Sequence, residues 1–321
     1  MMMAITAIIF HLCITGMLIH TIERIGGSCL ILFLQQLING LSVGSIYALI
    51  ALGYTMVYGI IKLINFAHGE IMMAGAYIAF LLAVNTNLPF VFVLVIAMVL
   101  SAVIGVVVEI VAYRPLRKAP RISVLITAIG VSFFLQNLAL VLFKADPKIM
   151  PELINKSPIT IGPLQVGTVT LTTLFLAIIF MIALDLFVKR TKPGKAMRAV
   201  SEDKEASILM GINVNRTISM TFAIGSALGA LGGVLYAVMY TQVFPTLGVL
   251  PGLKAFVAAV FGGIGLIPGA VLGGFVIGMI ETFTKAYLST QWSDAIVFGL
   301  LIIVLLVKPT GILGKNQKEK V

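Results

Sequence analysis

The residues best placed to do chemistry stand in one short segment. Gly59 to Gly69 reads GIIKLINFAHG and is followed by Glu70, so Lys62, Asn65, His68 and Glu70 interrupt sequence that is apolar on both sides. Ionisable groups inside long apolar sequence are costly in lipid and point to a pathway or an interface. The run Asn65-Phe66-Ala67-His68-Gly69-Glu70 can break a helix and turn backbone amides inward. Such a break is tolerated only where the backbone is buried or lines a cavity. The plainer alternative is a short interfacial loop between two spans. Catalysis by His68 and Glu70 would need further partners, and no nucleophile accompanies them. The histidines (His11, His20, His68) and cysteines (Cys13, Cys29) match no metal-ligand spacing, so no metal is expected. Upstream, Asn39, Ser42, Ser45 and Tyr47 place polar atoms in another apolar run. Hydrogen bonding between helices is one reading of them, and a lining for a polar path is the other. Asn39, Ser42, Ser45, Tyr47, Asn65, His68 and Glu70 together form the candidate path.

A second segment is polar throughout. Lys189 to Gly211 reads KRTKPGKAMRAVSEDKEASILMG. Ser201 can cap a helix N-terminus, with Glu202 and Asp203 in the first turn where acids suit the helix dipole. Ala206, Ile208, Leu209 and Met210 give that helix an apolar side, and Gly211 is placed to end it. The spacing predicts a short amphipathic helix at the membrane surface. It is either a solvated connector or a docking element for a partner.

These segments need a scaffold, and composition says which kind. Of 321 residues 60% are hydrophobic and only 11% are charged, with a mean hydropathy of +1.12. That excludes a soluble enzyme and a disordered chain. Apolar runs near 20 residues long recur along the sequence, predicting an all-α polytopic membrane protein of about eight or nine membrane elements. The net charge of +10 collects in three breaks: Arg114–Arg121, Lys189–Lys204 and the Lys308–Lys320 tail. Their basic character places them on the cytoplasmic side and makes lipid headgroups, not nucleic acid, the expected neighbours. Residues 85–89 and 144–167 then face outward.

Small residues recur at four-residue spacing in Gly225, Gly229 and Gly233, in Gly265, Gly269 and Gly273, and in Gly40, Gly44 and Ala48. Such stripes let helices approach closely. Phe256 to Gly274 is too short and glycine-rich for two ordinary spans. A hairpin dipping into the membrane, or two tightly packed short helices, fits it better. Its Gly262-Gly263-Ile264-Gly265 lacks the Lys-Ser/Thr of a phosphate loop, and Pro268 breaks it. No nucleotide site is read in this chain.

Several of these runs together resemble a known family. They are Leu34–Gly40, Ser45–Gly59, Asn65–Glu70, Ala112–Arg117, Ala128–Gly130 with Phe134–Asn137, Lys254–Phe256, Gly262–Gly265, Pro268-Gly269, Tyr287–Ser289 and Pro309–Gly314. They are similar to the permease subunits of the high-affinity branched-chain amino-acid ABC importers, the LivH type. Glu205-Ala206-Ser207 followed by Gly211 resembles the coupling-loop signature of ABC importer permeases. The resemblance implies a transport subunit and not an enzyme, working by alternating access in the cell inner membrane. Ser201, Glu202, Asp203, Glu205, Ala206, Ser207 and Gly211 would couple it to ATPases. It implies a second, related permease, two cytoplasmic ATPases holding the ATP and magnesium, and an extracytoplasmic binding protein. Residues 33–315 form the permease domain, 316–321 a basic cytoplasmic tail, and 1–32 an apolar extension that is an extra span or a misread start. A secondary transporter or channel without ATPase partners is the rival reading.

Overall fold

The computed structural model describes residues 2–314 apart from Leu63, Lys118 and Lys156, with backbone alone for residues 2–29, Arg121 and Ile161. The basic tail expected at 316–321 lies outside the described residues, as do the side chains of most of the 1–32 extension. The helices are α1 (Met2–Ile61), α2 (His68–Asn85), α3 (Phe90–Val108, continued by a π-helical turn over Glu109–Tyr113), α4 (Arg121–Phe143), α5 (Thr168–Arg190), α6 (Lys192–Glu202) and α7 (Lys204–Leu209). They continue with α8 (Val214–Tyr240), α9 (Val249–Gly262), α10 (Ile267–Tyr287) and α11 (Thr290–Val307). Among the described residues eight helices are long and apolar enough to cross a membrane, counting Leu30–Ile61 of α1, and α9 is a shorter apolar helix.

The fold is all-α apart from short strands. β2 (Pro158–Ile161) and β3 (Leu164–Gly167) form a hairpin in the polar 144–167 stretch. β1 (Lys148–Ile149) pairs antiparallel with β4 (Gln242–Val243), just after α8. Gln35 of α1 donates to the Gln165 carbonyl at 2.8 Å and ties the hairpin to the bundle. This is the hairpin end. The opposite, basic end carries α6, α7 and the start of α8.

α1, α8, α10, α2 and α9 make the core, and α3, α4, α5 and α11 surround it with broad exposed apolar faces suited to lipid. The glycine stripes explain the close core packing. A Cβ added at Gly278 would lie 2.2 Å from Gly44 Cα, and one at Gly274 would lie 2.4 Å from Ala48 Cα. α1 and α10 therefore meet backbone to backbone. Gly269 and Gly273 do the same for α10 on α9, facing Gly262 and Ala258. Gly225 abuts Gly53 of α1, and Gly233 abuts Met72 of α2. Gly265 departs from the expected stripe. It precedes α10, at φ +94°, and serves the turn that links α9 to α10.

Candidate functional site

The polar segment after α1 is a broken helix and not an interfacial loop. Lys62 takes a left-handed conformation (φ 59°) and ends α1. The chain then runs back alongside α1 before α2 starts at His68, whose Nε2 lies 3.2 Å from the Ile50 carbonyl oxygen. Ile50 precedes Ile61 by three turns, so α2 begins about 16 Å along α1 from its end at about 1.5 Å per residue. That is near the middle of a hydrocarbon core about 30 Å thick. Asn65 holds the climbing segment in place. Its Oδ1 accepts from the Ala67 N–H at 3.0 Å and from the Tyr113 hydroxyl at 2.7 Å. Room for the buried imidazole comes from glycine: a Cβ at Gly53 would lie 2.5 Å from the His68 ring. Gly229 faces the same ring, and the Tyr54 ring packs 4.5 Å away, centroid to centroid.

A second helix begins at the same depth. Beyond β4 the chain drops in from the hairpin end, and α9 starts against Gly69. A Cβ on Gly248 would lie 2.0 Å from the Gly69 carbonyl oxygen, and one on Gly69 would lie 2.5 Å from that of Gly248. Two helix N-termini, with their positive dipole ends, thus meet inside the bundle. Beside them lies a cavity of about 290 Å3. Tyr54, Glu70, Ser132 and Gln136 supply its polar lining, and Phe66, Ile129, Phe133 and Leu253 its apolar walls. Glu70 is 2% exposed. Its Oε1 accepts a long 3.5 Å contact from the Ser132 hydroxyl, and its Oε2 has no hydrogen-bond partner.

Less than one turn further along α1, and also bordering the first turn of α9, sits a cluster that crosses four helices. Tyr47 of α1 donates to Glu281 Oε2 of α10 at 2.7 Å. Lys254 of α9 donates to Glu281 Oε1 at 2.8 Å and pairs with Asp294 Oδ1 of α11 at 2.7 Å. Lys285, one turn beyond Glu281, bonds the same Oε1. Cavities of about 350 and 190 Å3 flank the cluster and share Tyr240, Glu281 and Lys285, and Asn39 lines the larger. The remaining candidate path residues, Ser42 and Ser45, are buried in α1 and line none of these cavities; Ser45 donates to the Ser42 carbonyl at 2.7 Å. Five of the seven candidates therefore fall in two places. Asn65, His68 and Glu70 gather around the start of α2, while Asn39 and Tyr47 belong to the Glu281 cluster and its cavities.

At the basic end the predicted single helix is two. α6 ends at Glu202, and Asp203 caps α7 by accepting from the Glu205 and Ala206 N–H groups at 2.8 and 3.0 Å. Ser201 is not the cap; its hydroxyl donates back to the Arg198 carbonyl at 2.7 Å within α6. Asp203 wins because its chain is extended (φ −150°, ψ 114°), as a capping position requires. Ser201 and Glu202 instead line a cavity of about 690 Å3 together with Lys62, Arg198, Gly265 and Thr310. Gly211 ends α7 at φ +78°, with Ile212 N–H bonded to Ser207 O and Gly211 N–H to Ile208 O. That is a Schellman closure, which favours glycine. Ser207 is buried against the bundle, while Ala206, Ile208, Leu209 and Met210 face outward.

Close to this loop, α8 carries part of a buried ion cluster. Glu109 at the end of α3 accepts from Arg114 at 3.0 Å, from Ser219 of α8 at 2.7 Å and from Arg117. Arg117 also donates to Asn215 at 2.5 Å. Burial, with Arg117 and Lys62 nearby, holds the Lys204 ammonium below the ordinary lysine pKa. Two N-termini meeting at mid-depth and a capped helix at the basic end suit a transport subunit.

Residues 36–305 match the family model described as branched-chain amino acid transport system / permease component. The chain belongs to that family. The permease is 44% identical over 302 residues to the high-affinity branched-chain amino acid transport system permease protein LivH of Escherichia coli (strain K12), covering 90% of this chain and 98% of that one. It is 45% identical over 301 residues to the corresponding protein BraD of Pseudomonas aeruginosa, covering 90% and 98%. The solved structure of PsaBC from Streptococcus pneumoniae in complex with Fab aligns at a TM-score of 0.45 and 14% identity, over 86% of this chain and 91% of that one.

The Lys254–Glu281–Asp294 cluster was not read from the sequence. Lys254 carried a signal, a lone cation in an apolar stretch. Its partners lie 27 and 40 residues away on other helices, which spacing does not reveal.

Proposed function

We propose that this permease passes leucine, isoleucine, valine or related amino acids across the cell inner membrane as the transmembrane subunit of an ATP-driven importer. A second, related permease, two cytoplasmic ATPases and an extracytoplasmic binding protein complete the machine. The observation that carries the reading is the meeting of α2 and α9 at Gly69 and Gly248, where two helices start at mid-depth beside a partly polar, partly apolar cavity. Broken helices at the membrane centre are how transporters present helix ends to a polar cargo. A zwitterion with an aliphatic side chain matches both halves of that lining.

The basic end supplies the lever. α7 is capped at both ends and packs on α6 and α8, and α8 Ser219 bonds Glu109, so a push on its outward Ile208, Leu209 and Met210 reaches α8 and, through Glu109, α3. Glu205, Ala206 and Gly211 are the coupling residues, with Asp203 as the cap and Ser207 as the anchor. Ser201 and Glu202 act from the α6 side, at the mouth of the basic-end cavity. The test is ATP-dependent leucine uptake by the assembled complex in liposomes. Gly211→Pro forbids the left-handed closure and abolishes uptake while the subunit stays in the membrane. Glu205→Arg does the same through charge at the docking face. Normal uptake by both variants overturns the coupling assignment. Uptake that survives ATP depletion, with no ATPase subunits co-purifying, overturns the importer reading in favour of a secondary transporter or channel.

A further inference from the structure

We propose that Glu70 receives the α-ammonium group of the transported amino acid, with the substrate carboxylate towards the start of α9 and its side chain against Phe66, Ile129, Phe133 and Leu253. This rests on the transport reading above and assigns the chemistry of the cavity beside Glu70.

Among the described residues three carboxylates are deeply buried in the bundle: Glu70, Glu109 and Glu281. Glu109 is filled by two arginines and Ser219, and Glu281 by two lysines and Tyr47. Glu70 has neither. Among the described residues it joins no ion pair, its Oε2 has no partner, and Ser132 gives its Oε1 only a 3.5 Å contact. A buried carboxylate left this open is costly unless a proton or a cation neutralises it. The groups around it do not do so. His68 is turned to the Ile50 carbonyl, and Tyr54 packs against the His68 ring. What remains is the cavity, which Glu70 itself lines.

The rest of the lining fits the other parts of an amino acid. Gly248, Val249 and Gly252, at the start of α9, border the same cavity. The first turn of α9 carries no acid, so the positive end of its dipole suits a carboxylate, although the Val249 N–H is already bonded to the Thr246 carbonyl at 3.1 Å and Pro251 has no N–H. The apolar walls suit an aliphatic side chain. An ammonium brings three donors and a full charge, where a hydroxyl brings one donor and none.

The test separates this from the transport reading. Ser132 lines the cavity beside Glu70, and the native thiols are Cys13 and Cys29. The assembled importer carrying Cys13→Ser, Cys29→Ser and Ser132→Cys is modified with a small thiol reagent, with and without saturating ligand. Leucine slows modification at position 132 by about tenfold, while 2-hydroxy-4-methylpentanoate, which lacks the ammonium, slows it less than about twofold. Adding Glu70→Gln brings leucine down to the hydroxy acid's level, and Glu70→Asp restores protection. Equal protection by the two ligands, or protection that survives Glu70→Gln, overturns the proposal. If Glu70→Gln does not assemble, the two-ligand comparison with Glu70 intact decides alone. Failure of the importer to take up leucine sinks the transport reading instead, and is scored separately by uptake.

Discussion

Two buried polar regions of the permease differ in how completely they are satisfied. Around Glu281, Tyr47 holds one carboxylate oxygen while Lys254 and Lys285 hold the other, and Asp294 takes the second contact of Lys254. Around Glu70, at mid-depth, one oxygen has no partner and the other has a long one. The first region ties α1, α9, α10 and α11 together, as a closed ion network does. The second is open towards a cavity where two helices begin. Closure marks scaffold and openness marks a place for a ligand, although both look alike as isolated charges in apolar sequence.

The contrast can be broken in several ways, the largest expected effect first. Gly248→Val drives a side chain into the Gly69 backbone, where even a Cβ would lie 2.0 Å from a carbonyl oxygen. It should separate the two helix starts and reduce uptake to background, measured in liposomes at matched complex abundance. Lys254→Met leaves Glu281 and Asp294 facing each other without their shared cation. Glu281 keeps Lys285 and Tyr47, but it loses its most buried cation, so the melting temperature of the purified complex should fall. Asp203→Ala removes the α7 cap and costs about 1 kcal/mol at that helix. Faster amide exchange confined to residues 204–210, with a partial loss of uptake, is the expected reading. The smallest stability effect belongs to Glu70→Gln. With no ion pair to lose, its melting temperature should stay close to the parent's while uptake falls. A drop as large as that of Lys254→Met would erase the distinction between the regions.

Much of this was legible in the sequence, for identifiable reasons. The break at Asn65–Glu70 showed because polar residues clustered locally within apolar sequence, and locality is what reading along a chain detects. The glycine stripes showed because a four-residue period is a property of one helix. Gly265 was misassigned because a period does not reveal that α10 starts two residues later. The α7 cap was placed at Ser201, since serine and aspartate both suit a cap and only the extended backbone at Asp203 decides between them. The convergence of Glu281, Lys254, Asp294 and Tyr47 was illegible, because their contacts span 27 to 234 residues of chain and depend on how four helices stack.

The central claim is that substrate rests at mid-depth between Glu70 and the start of α9. Cryo-electron microscopy of the assembled importer, trapped with leucine during transport, tests it most directly. Ligand density is expected in the cavity lined by Glu70, Ser132 and Gly248, with its nitrogen end towards Glu70. Density held instead by the Lys254–Glu281 cluster, with the Glu70 cavity filled only by side chains, would contradict it.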